Sequence, residues 1–153
     1  MLAWCGARGI DLSLIETMPL GEVSGVRSDS YLPLSVARES LEARFTLIPS
    51  MHRTGGPARY CDVVETGTRI GFITPLSANF CASCNRLRLG SDGKFHLCLF
   101  GDGGFDLRDL LQADHQHDEL ISRIAGLTMG KTPGHRLHHG DSGATPHLAS
   151  IGG

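Results

Sequence analysis

The spacing of three cysteines constrains this chain more than any other feature. Cys81 and Cys84 stand as Cys-Ala-Ser-Cys, and Cys98 follows after thirteen residues. Three thiolates can hold a metal centre and leave one coordination position for a group that is not protein. Arg86 and Arg88 follow the pair at once. The planar guanidinium fork suits phosphate and carboxylate anions. A metal position left open beside an anion cradle reads as a substrate site, not merely as a structural staple.

The bulk properties set limits around that site. The chain has 153 residues, 41% of them hydrophobic, which suits a globular domain with a real core. Aromatic residues are 6%, so the core is expected to be aliphatic. A net charge of −2 argues against a general nucleic-acid binder. A polyanion site must therefore be local, and the densest basic stretch runs from Arg86 to Lys94, beside the cysteines. Five cysteines is an odd count with three of them clustered, a pattern of metal ligands in a reducing compartment. The start, Met1-Leu2-Ala3-Trp4-Cys5, lacks the basic leader of a signal peptide, and no apolar run approaches a membrane span of roughly 20 residues. The expectation is cytoplasmic, with no nucleic-acid and no membrane partner.

Along the chain, Leu2 to Arg8 reads as the last turns of a helix ended by Gly9. Asp11 to Thr17 is nearly continuously apolar at its centre, as a buried parallel strand would be. A helix end, a loop and a buried strand need neighbours, and none lies upstream. Ser35 is the expected N-cap of a helix through Phe45, with Leu41 and Phe45 on one face. Arg59 to Val64 and Thr68 to Thr74 predict a hairpin across Glu65-Thr66-Gly67. Arg86 to Leu89 and Lys94 to Leu99 predict another across Ser91-Asp92-Gly93. Strand periodicity then puts Arg86 with Arg88, and His96 with Cys98, on common faces. Leu107 to Gln112 predicts a short helix, and Asp118 to Met129 a longer one with a stripe of Leu120, Ile121, Ile124 and Leu127. From Gly130 onward the chain is rich in Gly, His, Pro and Thr, with little to bury.

Spacing alone leaves two metals open. Zinc wants four protein ligands, and His96 is the fourth candidate beside Cys81, Cys84 and Cys98. A four-iron cluster on the three thiolates alone would keep one iron open. Cys5 and Cys61 have no paired spacing and read as small buried hydrophobes. Asp102 and Asp106 read as turn and cap residues around a glycine-rich turn.

The residues from Gly71 to Leu89, Gly-Phe-Ile-Thr-Pro-Leu-Ser-Ala-Asn-Phe-Cys-Ala-Ser-Cys-Asn-Arg-Leu-Arg-Leu, resemble the C-terminal cluster motif of the radical-SAM GTP 3′,8-cyclases of molybdenum cofactor biosynthesis. Asp92-Gly93-Lys94 and Cys98-Leu99-Phe100-Gly101 continue the likeness, as do Glu16 to Gly21, Leu41 to Phe45, Gly55 to Tyr60 and the terminal Gly152-Gly153. The resemblance implies that Cys81, Cys84 and Cys98 hold a second four-iron, four-sulfur cluster whose open iron binds the guanine of GTP. It implies that Arg86, Leu87 and Arg88 contact GTP, that Met18 contacts S-adenosylmethionine, and that Gly152 and Gly153 form a tail reaching the active site. His96 has no ligand role in it. The family chemistry is that of a lyase. An adenosyl radical takes hydrogen from the ribose 3′ carbon, and the resulting radical attacks C8 of guanine.

One departure matters. The family holds its first cluster with a CxxxCxxC motif, and these 153 residues contain none. The chain thus resembles the C-terminal half of the cyclase. The expected fold class is α+β: a remnant βα unit of a partial (β/α) barrel over residues 1–30, then a domain over 31–153 with antiparallel hairpins and helices around an iron–sulfur site and a flexible tail from about residue 130. The expected role is to bind the second cluster and GTP. S-adenosylmethionine cleavage would await the missing half, supplied in trans or by a longer product, and a homodimer partner is a further option. Two rivals stand beside this reading. One is a zinc-binding structural or interaction module using Cys81, Cys84, Cys98 and His96; the other is a truncated product without function of its own.

Overall fold

The computed structural model describes residues 1–18, 30–78, 80–101 and 103–135. The described residues up to Phe80 form one compact unit and those from Cys81 a second.

The first unit is a four-stranded mixed sheet with two helices. Helix α1 (Leu2–Gly6) leads into strand β1 (Leu12–Ile15). Gly9, with φ 65°, makes the reversal between them. Helix α2 (Leu34–Glu42) is followed by strands β2 (Leu47–Pro49), β3 (Arg59–Val63) and β4 (Thr68–Ile73). The strand order is β1-β4-β3-β2. Strands β3 and β4 are the expected antiparallel hairpin, in register from Arg59↔Phe72 to Val63↔Thr68. The neighbour that β1 requires lies downstream. It pairs parallel with β4, from Leu12↔Ile70 to Ile15↔Ile73. Asp11 pins the start of this pairing, accepting from the Arg69 backbone N–H (2.8 Å) and from Arg69 Nε (2.9 Å).

Apolar alternation builds the core of this unit. Cys61 and Val63 of β3, Ile70 and Phe72 of β4, Leu34 of α2 and Leu2 of α1 are buried together. Leu12, Leu14, Leu41, Phe45 and Leu47 pack against them. Cys5 and Cys61 are both buried, as small hydrophobes, and burial pushes the Cys61 thiol up. Strand β1 is not enclosed as a central parallel strand would be. Its residues alternate between half-buried and exposed, and Ile15 is 55% exposed. The reason is topological: among the described residues β1 has a sheet partner on one edge only.

Helix α2 differs from expectation at both ends. It starts at Leu34, with Pro33 at the N-cap and no capping side chain of its own. The Leu34 N–H is instead taken by Glu16 Oε1 at 3.3 Å. The last helical residue is Glu42, yet the Phe45 N–H still reaches the Leu41 carbonyl (2.9 Å), so both expected face residues meet the core.

Glu16 is one of the largest fully buried side chains, at 1% exposure. Its carboxylate accepts from the backbone N–H groups of Leu34, Leu76 (3.0 Å) and Ser77 (3.0 Å), and from the Ser77 hydroxyl. Burial pushes this carboxyl up. The bonds from Ser77, Leu76 and Leu34 together outweigh it and hold the group below its ordinary value of 4.5.

The second unit is built on a small sheet. Strands β5 (Arg88–Leu89), β6 (Lys94–His96) and β7 (Phe105–Asp106) lie in that order, all antiparallel. Gly93, with φ 76°, turns β5 into β6 as the Asp-Gly pair predicts. The expected helix near Leu107 is a single 3₁₀ turn, Arg108–Leu110. Asp106 Oδ1 accepts the Arg108 N–H at 3.0 Å, a turn bond of the kind expected of it. The side chain and N–H of Arg108 bring the Asp106 carboxyl down to about 2. Helix α3 (His117–Met129) closes the described unit, with Asp118 and Glu119 in its first turn, where the helix dipole favours acids. Of its expected stripe, Leu120, Ile124 and Leu127 are half-buried and Ile121 is exposed.

The Glu16 network predicts an acid-sensitive first unit. Its stabilisation is present above the ordinary carboxyl value of 4.5 and is lost as pH falls through the lower folded value. Glu16→Gln places an NH₂ where donors converge and is expected to cost roughly 2 kcal/mol at pH 7. Denaturant unfolding as a function of pH checks this: the gap between wild type and variant should close on acidification.

Candidate functional site

The cysteine motif lies in the second unit. Cys81 opens a 3₁₀ turn, Cys81–Ser83, and the Cys84 N–H bonds the Cys81 carbonyl at 3.1 Å. This tight turn is what two intervening residues allow. Cys98 follows the end of β6, and its Sγ accepts the Phe100 N–H at 3.4 Å. All three thiols are free and half-buried. Burial pushes the Cys81 thiol up, a backbone bond from His135 pulls it down, and the Cys98 and Cys84 sulfurs push it up again. The Cys98 and Cys84 sulfurs are thus close enough to Cys81 to be felt there, and Cys81 and Cys98 each receive a backbone amide donor.

These features suit a thiolate-ligated cluster, whose sulfurs are tuned by amide hydrogen bonds. Among the described residues, no three His, Cys, Asp or Glu side chains are gathered so as to hold one metal ion. A zinc ion needs its sulfurs about 2.3 Å from a single centre. A four-iron cluster gives each thiolate its own iron, so the sulfurs stand wider apart. His96 is buried, 6% exposed, and its Nδ1 has no hydrogen-bond partner. A Cβ on Gly104 would come within 2.9 Å of His96 Nε2 and 2.8 Å of its Cε1, so the glycine is what lets the ring lie there. Strand β6 ends at His96, so the periodicity that would place Cys98 on the same face does not reach it.

Arg86 and Leu87 are exposed and precede β5, while Arg88, half-buried, is its first residue and pairs with His96. The two arginines are therefore not on one face of a strand. Lys131 explains how this segment is held. Its Nζ donates to the Arg86 carbonyl at 2.6 Å and to the Leu97 carbonyl at 2.5 Å, tying the approach to β5 to the residue before Cys98. The ammonium also lowers the Cys81 thiol. Nothing in the composition around Lys131, set among Gly, Thr and Pro, singled it out. Met18 lies in the first unit, half-buried, two residues beyond Glu16. Gly152 and Gly153 lie outside the described residues. No helix among the described residues is long and apolar enough to cross a membrane.

A cysteine motif of this kind, following a mixed-sheet unit in the chain, has known counterparts. The family model described as Molybdenum Cofactor Synthesis C matches residues 10–137, and the chain belongs to that family. Among its relatives, the GTP 3′,8-cyclase of Erythrobacter litoralis is 48% identical over 149 residues, covering 97% of this chain and 45% of that protein. The GTP 3′,8-cyclases of Sinorhizobium medicae and Agrobacterium fabrum are 46% and 44% identical over 157 residues, each covering all of this chain and 45% of the relative. The chain thus spans about 45% of the length of the curated relatives it matches.

The Lys131 clamp makes a prediction that needs no ligand. Lys131→Met removes a charged donor from two carbonyls and is expected to destabilise the second unit by roughly 1–3 kcal/mol. Amide hydrogen exchange should quicken first at Leu97 to Phe100, and Lys131→Arg should restore part of the protection.

Proposed function

We propose that this chain is the substrate-side part of a GTP 3′,8-cyclase of molybdenum cofactor biosynthesis. In this reading Cys81, Cys84 and Cys98 hold a four-iron, four-sulfur cluster, and the Arg86-Leu87-Arg88 segment takes the phosphates of GTP. The observation that carries it is that three free, half-buried thiols belong to one unit, two with amide donors on sulfur, and that two arginines follow on a segment held by Lys131. The family membership supports it. The relatives are GTP 3′,8-cyclases, which suggests GTP as the ligand.

A cluster bound there would supply an open iron as a Lewis acid for the purine. The chain's own groups do the rest. The Arg86 and Arg88 guanidinium groups would meet phosphate oxygens with paired N–H donors. Lys131 fixes the backbone from which Arg86 projects, so that only the side chain would remain to be ordered when the ligand arrives. Met18, three residues past the end of β1, would contact S-adenosylmethionine. That cofactor's cleavage needs the CxxxCxxC half, which the 153 residues do not contain. Gly152 and Gly153 would complete the active site as its tail, and the location would be the cytoplasm.

Anaerobic reconstitution tests the reading. About four irons and four sulfides per chain are expected, and a Cys81→Ser, Cys84→Ser, Cys98→Ser variant should hold none. Arg86→Ala with Arg88→Ala should keep the iron and weaken GTP binding by about tenfold or more. A colourless protein carrying one zinc, or GTP binding indifferent to both sets of changes, would overturn it.

A further inference from the structure

The first unit holds a cavity of about 570 Å³ that the cluster chemistry does not use. Three arginines line it, Arg38, Arg53 and Arg59, and among the described lining residues there is no carboxylate. In a chain of net charge −2 this is a local reversal of sign. The apolar floor is made by Leu34 and Phe72, both buried. The volume is that of an ordinary small-molecule site.

The three cations are not equivalent. Arg38 is the anchored one. Its Nε donates to Glu42 at 2.7 Å, and its guanidinium carbon stands 6.0 Å from the Phe72 ring centroid. Arg59 has one long bond, Nη1 to the Pro57 carbonyl at 3.4 Å. Arg53 makes no hydrogen bond or ion pair among the described residues. Two acids directly follow lining residues, Glu39 after Arg38 and Asp62 after Cys61; neither is among the described lining residues, and Asp62 Oδ1 accepts the Ser50 hydroxyl at 2.9 Å. Two guanidinium groups with most of their donors unspent therefore face a cavity with an apolar floor.

We propose that this cavity binds a small phosphate-bearing ligand with an apolar or aromatic body. The phosphate would be gripped by Arg53 and Arg59, and the body would rest over Leu34 and Phe72. Guanidinium donors suit the oxygens of a phosphate in pairs, and burial of the body adds an attraction that inorganic phosphate lacks. The site is independent of Cys81, Cys84 and Cys98, so it stands whether or not the cluster reading does.

Phenyl phosphate and inorganic phosphate are the probes. The full chain is titrated with each by calorimetry, and with phenol as the uncharged control. Phenyl phosphate is expected to bind saturably, about tenfold tighter than inorganic phosphate, with phenol showing no saturable binding. Arg53→Ala and Arg59→Ala should each weaken phenyl phosphate by about tenfold, with thermal unfolding unchanged because neither side chain supports the core. Amide shifts in the nuclear magnetic resonance spectrum should move at Ser35 and Thr74 on the cavity wall. No saturable binding at millimolar phenyl phosphate, equal affinity for the two phosphates, or affinity unchanged in the double variant would each overturn the proposal. So would shifts confined to Arg86–Leu89.

Discussion

The first unit depends on a single buried charge. Glu16 stands one residue past β1, where the strand's own pairing is exhausted, and its carboxylate is shared between two other stretches of chain. It caps α2 through Leu34 and binds the turn after β4 through Leu76 and Ser77. Each of these segments leaves backbone N–H groups that no strand or helix partner can take. One carboxylate satisfies them together, and those bonds in turn offset the cost of burying it. Its neighbours feel the charge too: burial and Glu16 together push the Tyr31 hydroxyl up. A parallel pair of strands, a helix start and a loop are thereby fixed to one another at one point.

How far the sequence discloses this depends on the range of each interaction. The β3–β4 hairpin and helix α3 are legible because their signals are local: a turn between two apolar runs, and a stripe at helical spacing. The Asp92-Gly93 turn is legible for the same reason. The β1–β4 pairing is not, since Leu12 and Ile70 are far apart in sequence and no periodicity encodes a partner. The short strands β2, β5 and β7 hold three, two and two residues, too few to show alternation. Ser35 has the side chain of a cap, but the helix starts one residue earlier, and the Leu34 N–H is taken by Glu16, a carboxylate remote in sequence.

The candidate site divides the same way. Residue type and spacing make Cys81, Cys84 and Cys98 the candidate ligands, because few other arrangements call for three thiols at those intervals. The arrangement around them was not legible. The amide donors to sulfur come from Phe100 and His135, whose side chains carry no hint of a backbone role. Lys131 is a lone basic residue in a stretch of low information, and its importance rests on two carbonyls that have no sequence signature at all.

The two units also manage positive charge differently, and this bears on function. In the second, Lys131 spends its donors on backbone carbonyls, holding the route to Arg86 and Arg88 in place. In the first, Arg38 is neutralised by Glu42 while Arg53 and Arg59 stay largely unspent over an apolar floor. A folded chain of net negative charge has acids enough to pair every such cation on its surface. Arg53 and Arg59 are exposed and line this concavity with no carboxylate among its described lining residues, so their guanidinium donors are spent mainly on solvent. An external anion is then the group that would complete them.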